Sequence, residues 1–244
     1  MTFDDGYRDN YELALPILRK YEVPTTFFLA TGFLDHPGVP WWDELAWMVK
    51  RSPRQALEAG DWLGHHLPLD GDRRPAIDEL TRTYKSLPGE RTEAFLDFCA
   101  EAAGTGRCDP GAGADLWMTW AMAAELRDAG MTIGGHSATH PVLGRADPEV
   151  QSREIEECAR RLGEELGVSM RFFAYPVGRP GSFDAATRRI LRGAGVELAF
   201  SLYGGYLRPG RLDPYDVPRA SVEMGATPRG FRAMLALPGL FARW

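Results

Sequence analysis

The sequence predicts an α/β fold, either a (β/α) barrel or a doubly wound parallel sheet. Short apolar runs alternate with segments of helical periodicity over most of the 244 residues, as in a parallel sheet covered by helices. The chain also opens with a strand, a helix and a strand in close succession, which implies parallel pairing and a right-handed crossover. With 44% hydrophobic and 25% charged residues, the composition is that of a globular protein.

The N-terminal elements are a strand end, MTF, a turn, DDG, and a helix over residues 10–21. Leu13, Ile17 and Tyr21 have the spacing of one apolar helix face. TTFFLA, residues 25–30, predicts a buried strand. Because three residues are short for a strand, we expect the first strand to lack its beginning, so that the chain is a fragment or starts further upstream.

The alternation breaks between residues 35 and 115. A helix entered through prolines, PGVPWWDELAWMVK, is followed by a charged stretch that prolines and glycines interrupt. We therefore predict a single domain over residues 1–244 that contains a helical and irregular insertion at 35–115, after the second strand.

The alternation resumes beyond the insertion. Helices are predicted over residues 119–129, from about 148 to 166, over 184–192 and near 228. Strands are predicted over residues 131–134 and at the starts of RFFAYP (171), VELAFS (196) and DVPRASVE (216).

Charge and composition exclude several classes of function. No apolar run reaches the roughly 18 residues of a membrane span, so no transmembrane helix is predicted. The net charge of -6 argues against nucleic acid or an anionic membrane as partner.

Three cysteines without a CxxC motif are interpreted as free thiols. No signal peptide precedes Thr2, which predicts a cytoplasmic protein, or an exported or anchored one if the true start lies upstream.

Two adjacent carboxylates, Asp4 and Asp5, stand where the first strand ends. Enzymes of the α/β class carry their chemistry at such strand ends. Neighbouring carboxylates repel each other unless a cation or an arginine lies close by. The pair therefore indicates a metal site.

A second pattern, GGHSATHP, follows another predicted strand. His136 and His140 are four residues apart, so on one helical turn both imidazoles would face the same way, as two ligands of one metal must. An HxxxH alone is a weak signal, and exposed or capping histidines are the alternative. The carboxylate pair at a second strand end favours the metal.

TFDDG followed by HSATH resembles the polysaccharide deacetylase family, carbohydrate esterase family 4 or NodB homology domain, over residues 2–222. The resemblance implies a distorted (β/α) barrel of the NodB type. It also implies metal-dependent hydrolysis of N-acetyl or O-acetyl groups on a polysaccharide or glycan. In this family the first aspartate is the catalytic base, which implies that role for Asp4. It implies that Asp5, His136 and His140 bind a divalent metal, expected to be zinc.

FAYPVG resembles the third motif of the family, a proline-containing turn after a strand. The resemblance implies that the backbone amide of Val177 donates to the oxyanion. We expect Tyr175 and Pro176 of this turn to contact the substrate, together with Tyr7 and Arg8, which follow the carboxylate pair.

Two departures from the family pattern bear on activity. Ala174 stands where many members have the arginine that orients the base, so we expect Arg219 to hold Asp4, with Arg171 as the alternative. No histidine follows His140, although the last motif often supplies one as general acid. Another group must then protonate the leaving amine, and Asp4 itself is one candidate.

Aromatic and imidazole side chains of the insertion have two interpretations. Trp42 is expected to stack on a sugar ring, whereas burial of one or two of Trp41, Trp42 and Trp47 is the commoner outcome. His65 and His66 are expected to face solvent, although they could reach the mouth of the site.

The predicted function is therefore a metal-dependent deacetylase. A carbohydrate-binding relative that has lost turnover is the alternative that the missing histidine and the substituted arginine suggest. An amidohydrolase acting on a small non-sugar amide is a third hypothesis.

Overall fold

The computed structural model describes residues 1–205, 210, 212–222 and 225–240. The chain forms two compact units, one of residues 1–34 and 118–244 and a smaller one of residues 35–117. The smaller unit begins where the predicted insertion begins and ends at residue 117 rather than 115.

The strands are β1 (Thr2–Phe3), β2 (Thr26–Leu29), β3 (Ala56–Leu57), β4 (Leu67–Pro68), β5 (Thr132–Gly135), β6 (Phe172–Ala174), β7 (Leu198–Ser201) and β8 (Val217–Pro218). In the larger unit six of them form one parallel sheet in the order β1-β2-β5-β6-β7-β8. In the smaller unit β3 and β4 pair antiparallel. The parallel sheet and its helices form a curled half-barrel, which confirms the predicted fold class.

The α-helices are α1 (Leu15–Lys20), α2 (Thr31–Asp35), α3 (Trp41–Arg51), α4 (Arg74–Ser86), α5 (Thr92–Ala103), α6 (Trp120–Asp128), α7 (Pro148–Leu166), α8 (Ala185–Gly193) and α9 (Pro228–Ala236). A wider helical turn, Asn10–Ala14, precedes α1, and short 3-10 turns lie at Gly89–Arg91, Pro110–Gly113, Leu143–Arg145 and Pro238–Leu240. Among the described residues, no helix combines the length and the apolar character needed to span a membrane.

The core of the larger unit lies between the parallel sheet and the helices that cover it, among them α7. Buried residues of α7 recur with helical spacing, and Ile155, Cys158 and Leu162 are inaccessible to solvent. The helix packs closely because β5 ends in glycine. A Cβ on Gly135 would lie 2.2 Å from Met170 Sδ and 2.9 Å from Cys158 Sγ.

The first helical segment forms as predicted, but its buried face is a different one. Leu13, Ile17 and Tyr21 are 67%, 59% and 65% exposed, whereas Leu15 and Leu18 are buried. Both sets fit a period of about 3.6 residues, so periodicity alone did not separate them.

The smaller unit has its own packed interior. Trp41 is buried and stacks on Tyr84 with ring centroids 4.0 Å apart, so one of the predicted tryptophans is a core residue. The buried Glu44 carboxylate accepts hydrogen bonds from Arg107 at 2.8 and 3.0 Å.

Candidate metal centre

The parallel sheet brings the predicted site residues to one edge. The carboxylate pair follows β1, His136 follows β5, the turn with Val177 follows β6, and Arg219 follows β8. The carboxyl ends of parallel strands lie at the same edge, which is where α/β folds bind ligands.

Asp5, His136 and His140 converge on one point. Asp5 Oδ1 lies 3.3 Å from His136 Nε2 and 3.4 Å from His140 Nε2. In the part of the chain that the structure describes, these three residues form the one group of histidine, cysteine, aspartate or glutamate side chains that could hold a metal ion. Their ligand atoms lie within 4.8 Å of one another. One carboxylate and two imidazoles are a donor set that a divalent metal such as zinc accepts.

Hydrogen bonding fixes the orientation of His136. Its Nδ1 lies 2.7 Å from the carbonyl oxygen of Ala174, which can only accept, so Nδ1 carries the proton. The other ring nitrogen, Nε2, is thereby directed towards Asp5 as a ligand atom. A backbone carbonyl behind a histidine is a common support of a metal ligand.

Electrostatics favour an ionised Asp5 and a neutral His140. Burial would raise the pKa of Asp5, but the neighbouring imidazole of His136 and the positive charge of Arg219 hold that pKa below its ordinary value. Burial lowers the pKa of His140 to about 4. Both side chains are therefore in the protonation state that a metal requires at neutral pH.

The two histidines do not share a helical turn, which corrects the sequence prediction. Residues 136–140 form an irregular turn after β5, in which Ser137 and His140 have φ angles of 63° and 60°. Ser137 Oγ accepts a hydrogen bond of 3.0 Å from the His140 amide. This left-handed turn brings the two imidazole centroids to 4.8 Å.

Backbone strain is concentrated at the site. Among the described residues, five non-glycine residues have a positive φ, and Asp5, Ser137, His140 and Val177 are four of them. Such conformations are unfavourable for side chains with a Cβ, and they persist where the surrounding structure enforces them.

Arg219 holds the Asp4 carboxylate, as the sequence predicted. Its Nη1 and Nη2 donate to the two carboxylate oxygens at 2.7 Å each, and Nη1 also donates to Thr2 Oγ1 at 3.0 Å. Asp4 Oδ2 lies 4.0 Å from His136 Nε2, beside the candidate metal ligands. The alternative, Arg171, forms an exposed ion pair with Glu197 instead.

The turn after β6 places Val177 in a left-handed conformation, with φ of 64°. Gly178 donates to the Pro176 carbonyl at 2.7 Å, and its own carbonyl accepts from Leu202 N at 2.7 Å. A Cβ on Gly178 would lie 2.8 Å from Leu202 N. The backbone of this turn is therefore fixed on both sides of Val177.

Tyr175 is a core residue, which corrects the expected substrate contact of its side chain. It is 1% exposed, stacks on Phe183 with centroids 3.8 Å apart and donates its hydroxyl to the Tyr215 carbonyl at 2.8 Å. Pro176 is also buried.

The other expected substrate contacts stay predictions. Tyr7 and Arg8 are half-buried directly after the carboxylate pair. Trp42 lies half-buried in the smaller unit, where its ring meets that of Trp41 edge to face. His65 and His66 of the same unit are largely exposed beside Glu79 and Glu58, as predicted.

Two contributors to the site were missed from the sequence. One is the Ala174 carbonyl behind His136, and the other is Glu154, whose carboxylate accepts hydrogen bonds from the turn between the histidines. Their partners are 38 and about 16 residues away in sequence, so no local pattern marks them.

Known proteins resemble this chain in sequence and in fold. The family model described as Polysaccharide deacetylase matches residues 1–66 and 80–199. YxkH of Bacillus subtilis (strain 168), named as a polysaccharide deacetylase, is 47% identical over 36 residues, which are 15% of this chain and 13% of that protein. The match thus spans a small part of the length of this curated relative.

Solved structures share the fold at low sequence identity. The deacetylase PplD of Streptococcus pyogenes, in complex with acetate, has a TM-score of 0.58 at 18% identity, over 95% of this chain and 67% of that chain. IcaB from Ammonifex degensii has a TM-score of 0.54 at 22% identity, over 97% of this chain and 71% of that chain. The extent of the family match, supported by the shared fold, shows that this chain belongs to the polysaccharide deacetylase family.

Proposed function

We propose that this protein is a metal-dependent hydrolase that removes N-acetyl or O-acetyl groups from a polysaccharide or glycan. The observation that carries the proposal is the spacing of Asp5, His136 and His140 at 3.3 and 3.4 Å, directly beside an aspartate that an arginine holds. One carboxylate and two imidazoles form a catalytic zinc set that leaves coordination positions open. Bound there, zinc would polarise the acetyl carbonyl and lower the pKa of a water molecule towards about 7.

Asp4 acts as the base in this proposal. Its carboxylate lies beside the ligand atoms, and Arg219 fixes its plane through two hydrogen bonds of 2.7 Å. Asp4 removes a proton from water as the water oxygen bonds to the acetyl carbon. With no histidine after His140, Asp4 then returns the proton to the amine nitrogen as the carbon–nitrogen bond breaks, giving acetate and a free amine.

The backbone amide of Val177 stabilises the negative charge that develops on the acetyl oxygen. A preorganised donor of this kind contributes about 3–4 kcal/mol to transition-state stabilisation. Because the donor is main chain, substitution of the valine side chain does not remove it. The left-handed conformation of Val177 fixes the direction of the amide.

The substrate class rests on the family and on its relatives. Acetate, the product of the proposed reaction, is present in the PplD structure. The lack of a histidine after His140 favours one competing function, a carbohydrate-binding relative without turnover. That function predicts sugar binding without acetate release.

Separate loss of base and metal tests the proposal. Asp4→Asn removes the base but no ligand, so we expect zinc to stay bound while kcat falls by about 10²–10⁴-fold. Asp5→Asn removes a ligand, so we expect both zinc and activity to be lost. Zinc content by elemental analysis and acetate release by a coupled assay measure the two effects.

Arg171→Ala is the control, because it removes an exposed arginine that pairs with Glu197. It should change neither zinc content nor kcat. An Asp4→Asn protein with full activity would exclude Asp4 as the base.

A further inference from the structure

We infer that Glu154 is a positioning residue that holds the turn between His136 and His140 in its metal-binding conformation. The inference rests on the proposed function, since it concerns the same metal site. Glu154 lies on α7 and is half-buried, and it is not itself one of the converging ligands.

The Glu154 carboxylate bonds to the turn itself. Oε2 accepts from the amides of Ala138 at 3.0 Å and Thr139 at 2.7 Å, and Oε1 accepts from Thr139 Oγ1 at 2.6 Å. All three donors belong to the two residues in the middle of the turn. Hydrogen bonds to an ionised carboxylate are shorter and stronger than neutral ones, as these distances indicate.

The opposite side of the turn is bonded to α2. Thr31 N donates to the Ser137 carbonyl at 3.3 Å, and Gly32 N donates to the Ala138 carbonyl at 2.8 Å. The approach is close, since a Cβ on Gly32 would lie 2.8 Å from Ala138 O. The amides of Ala138 and Thr139 are thus held by Glu154, and the carbonyls of Ser137 and Ala138 are held by α2.

The turn needs such support because its conformation is strained. Ser137 and His140 both have positive φ, which a residue with a Cβ adopts only when its surroundings enforce it. Without the carboxylate, the buried Ala138 amide keeps only the Glu154 backbone carbonyl at 3.1 Å, and Thr139 loses both bonds to Glu154, so the turn relaxes more readily. Relaxation at His140 would move its imidazole away from Asp5.

Other acidic residues of α7 differ from Glu154 in their partners. Glu156 accepts from Ser152, and Glu164 from Arg160 and Arg161, all on the same helix. Glu154 bonds across to the turn. This difference makes Glu156→Ala a matched control, because it removes the same charge from the same helix.

The test measures the zinc dissociation constant of metal-free protein by competition with a chromophoric chelator. We expect Glu154→Ala to weaken zinc binding by about 10–100-fold, as loss of a supporting hydrogen bond at a metal site commonly does. Glu154→Gln should fall between wild type and Glu154→Ala, because the amide oxygen still accepts from the two backbone amides. Glu156→Ala should bind as wild type does.

Thermal unfolding of the metal-free variants separates positioning from folding. The inference requires that Glu154→Gln unfold at about the wild-type temperature while it binds zinc more weakly. Wild-type zinc affinity in both Glu154 variants would overturn the inference and leave the proposed function intact. A wild-type protein that binds no zinc would overturn both.

Discussion

At the scale of single residues, Asp4 and Asp5 show how two neighbouring carboxylates acquire different roles. Asp5 lies in a turn with a φ of 74°, so its side chain takes a different direction from that of Asp4. Asp4 receives both guanidinium nitrogens of Arg219, whereas Asp5 lies between the imidazoles of His136 and His140. One carboxylate is thus oriented by a cation of the protein, and the other has the ligand geometry of a metal.

Arg219→Lys tests the orientation of the base. Lysine keeps the positive charge but cannot form the two parallel hydrogen bonds that the guanidinium gives to Asp4. We expect kcat to fall by about tenfold or more and zinc affinity to stay near the wild-type value. Steady-state kinetics and chelator competition measure the two quantities, with Arg171→Lys as control. An unchanged kcat would show that the bidentate contact does not orient the base.

At the scale of elements, α7 supports the site through its packing on β5. The helix buries Cys158 against Gly135, whose missing side chain permits the contact, and its Glu154 reaches the turn that follows β5. Burial raises the pKa of the Cys158 thiol to about 12, from an ordinary value of 9.0. The thiol therefore stays neutral in the folded protein at pH values where it ionises in the unfolded chain.

This pKa shift predicts a loss of stability at alkaline pH. Above about pH 9 the unfolded state releases the thiol proton and the folded state does not, so the free energy of unfolding falls by up to about 1.4 kcal/mol per pH unit until about pH 12. The Cys158→Ala variant has no thiol at this position, so its stability does not change with pH through this group. We expect the stability advantage of wild type over Cys158→Ala, measured by urea unfolding, to shrink between pH 8 and pH 10.5. An equal difference at both pH values would contradict the assigned pKa.

Sequence periodicity predicted the helices well where only one face of the helix is apolar. The predicted bounds of α7 agree with the structure, whereas the first helix offered two apolar faces and the exposed one was chosen. The convergence of Asp5, His136 and His140 could be anticipated, because the carboxylate pair and the HxxxH pattern each follow a predicted strand. The left-handed turn at Ser137 and the support from Glu154 were not, since both arise from contacts that the folded sheet creates.

At the scale of the whole larger unit, the site also joins the two ends of the sheet. β1 and β8 are the outer strands of the six-stranded order. Arg219, directly after β8, donates to Thr2 in β1 and to Asp4 beyond it. The hydrogen bonds that orient the Asp4 carboxylate therefore also link the two edges of the half-barrel, so the sheet and the site depend on the same side chain.

The most direct test of the central claim is acetate release from N-acetylglucosamine oligomers and acetylated xylan. The protein would be stripped of metal and then reloaded with one equivalent of zinc. The account predicts no acetate from the stripped protein and release on at least one sugar after reloading. Full activity without metal, or stoichiometric zinc without release from any acetylated sugar, would contradict it.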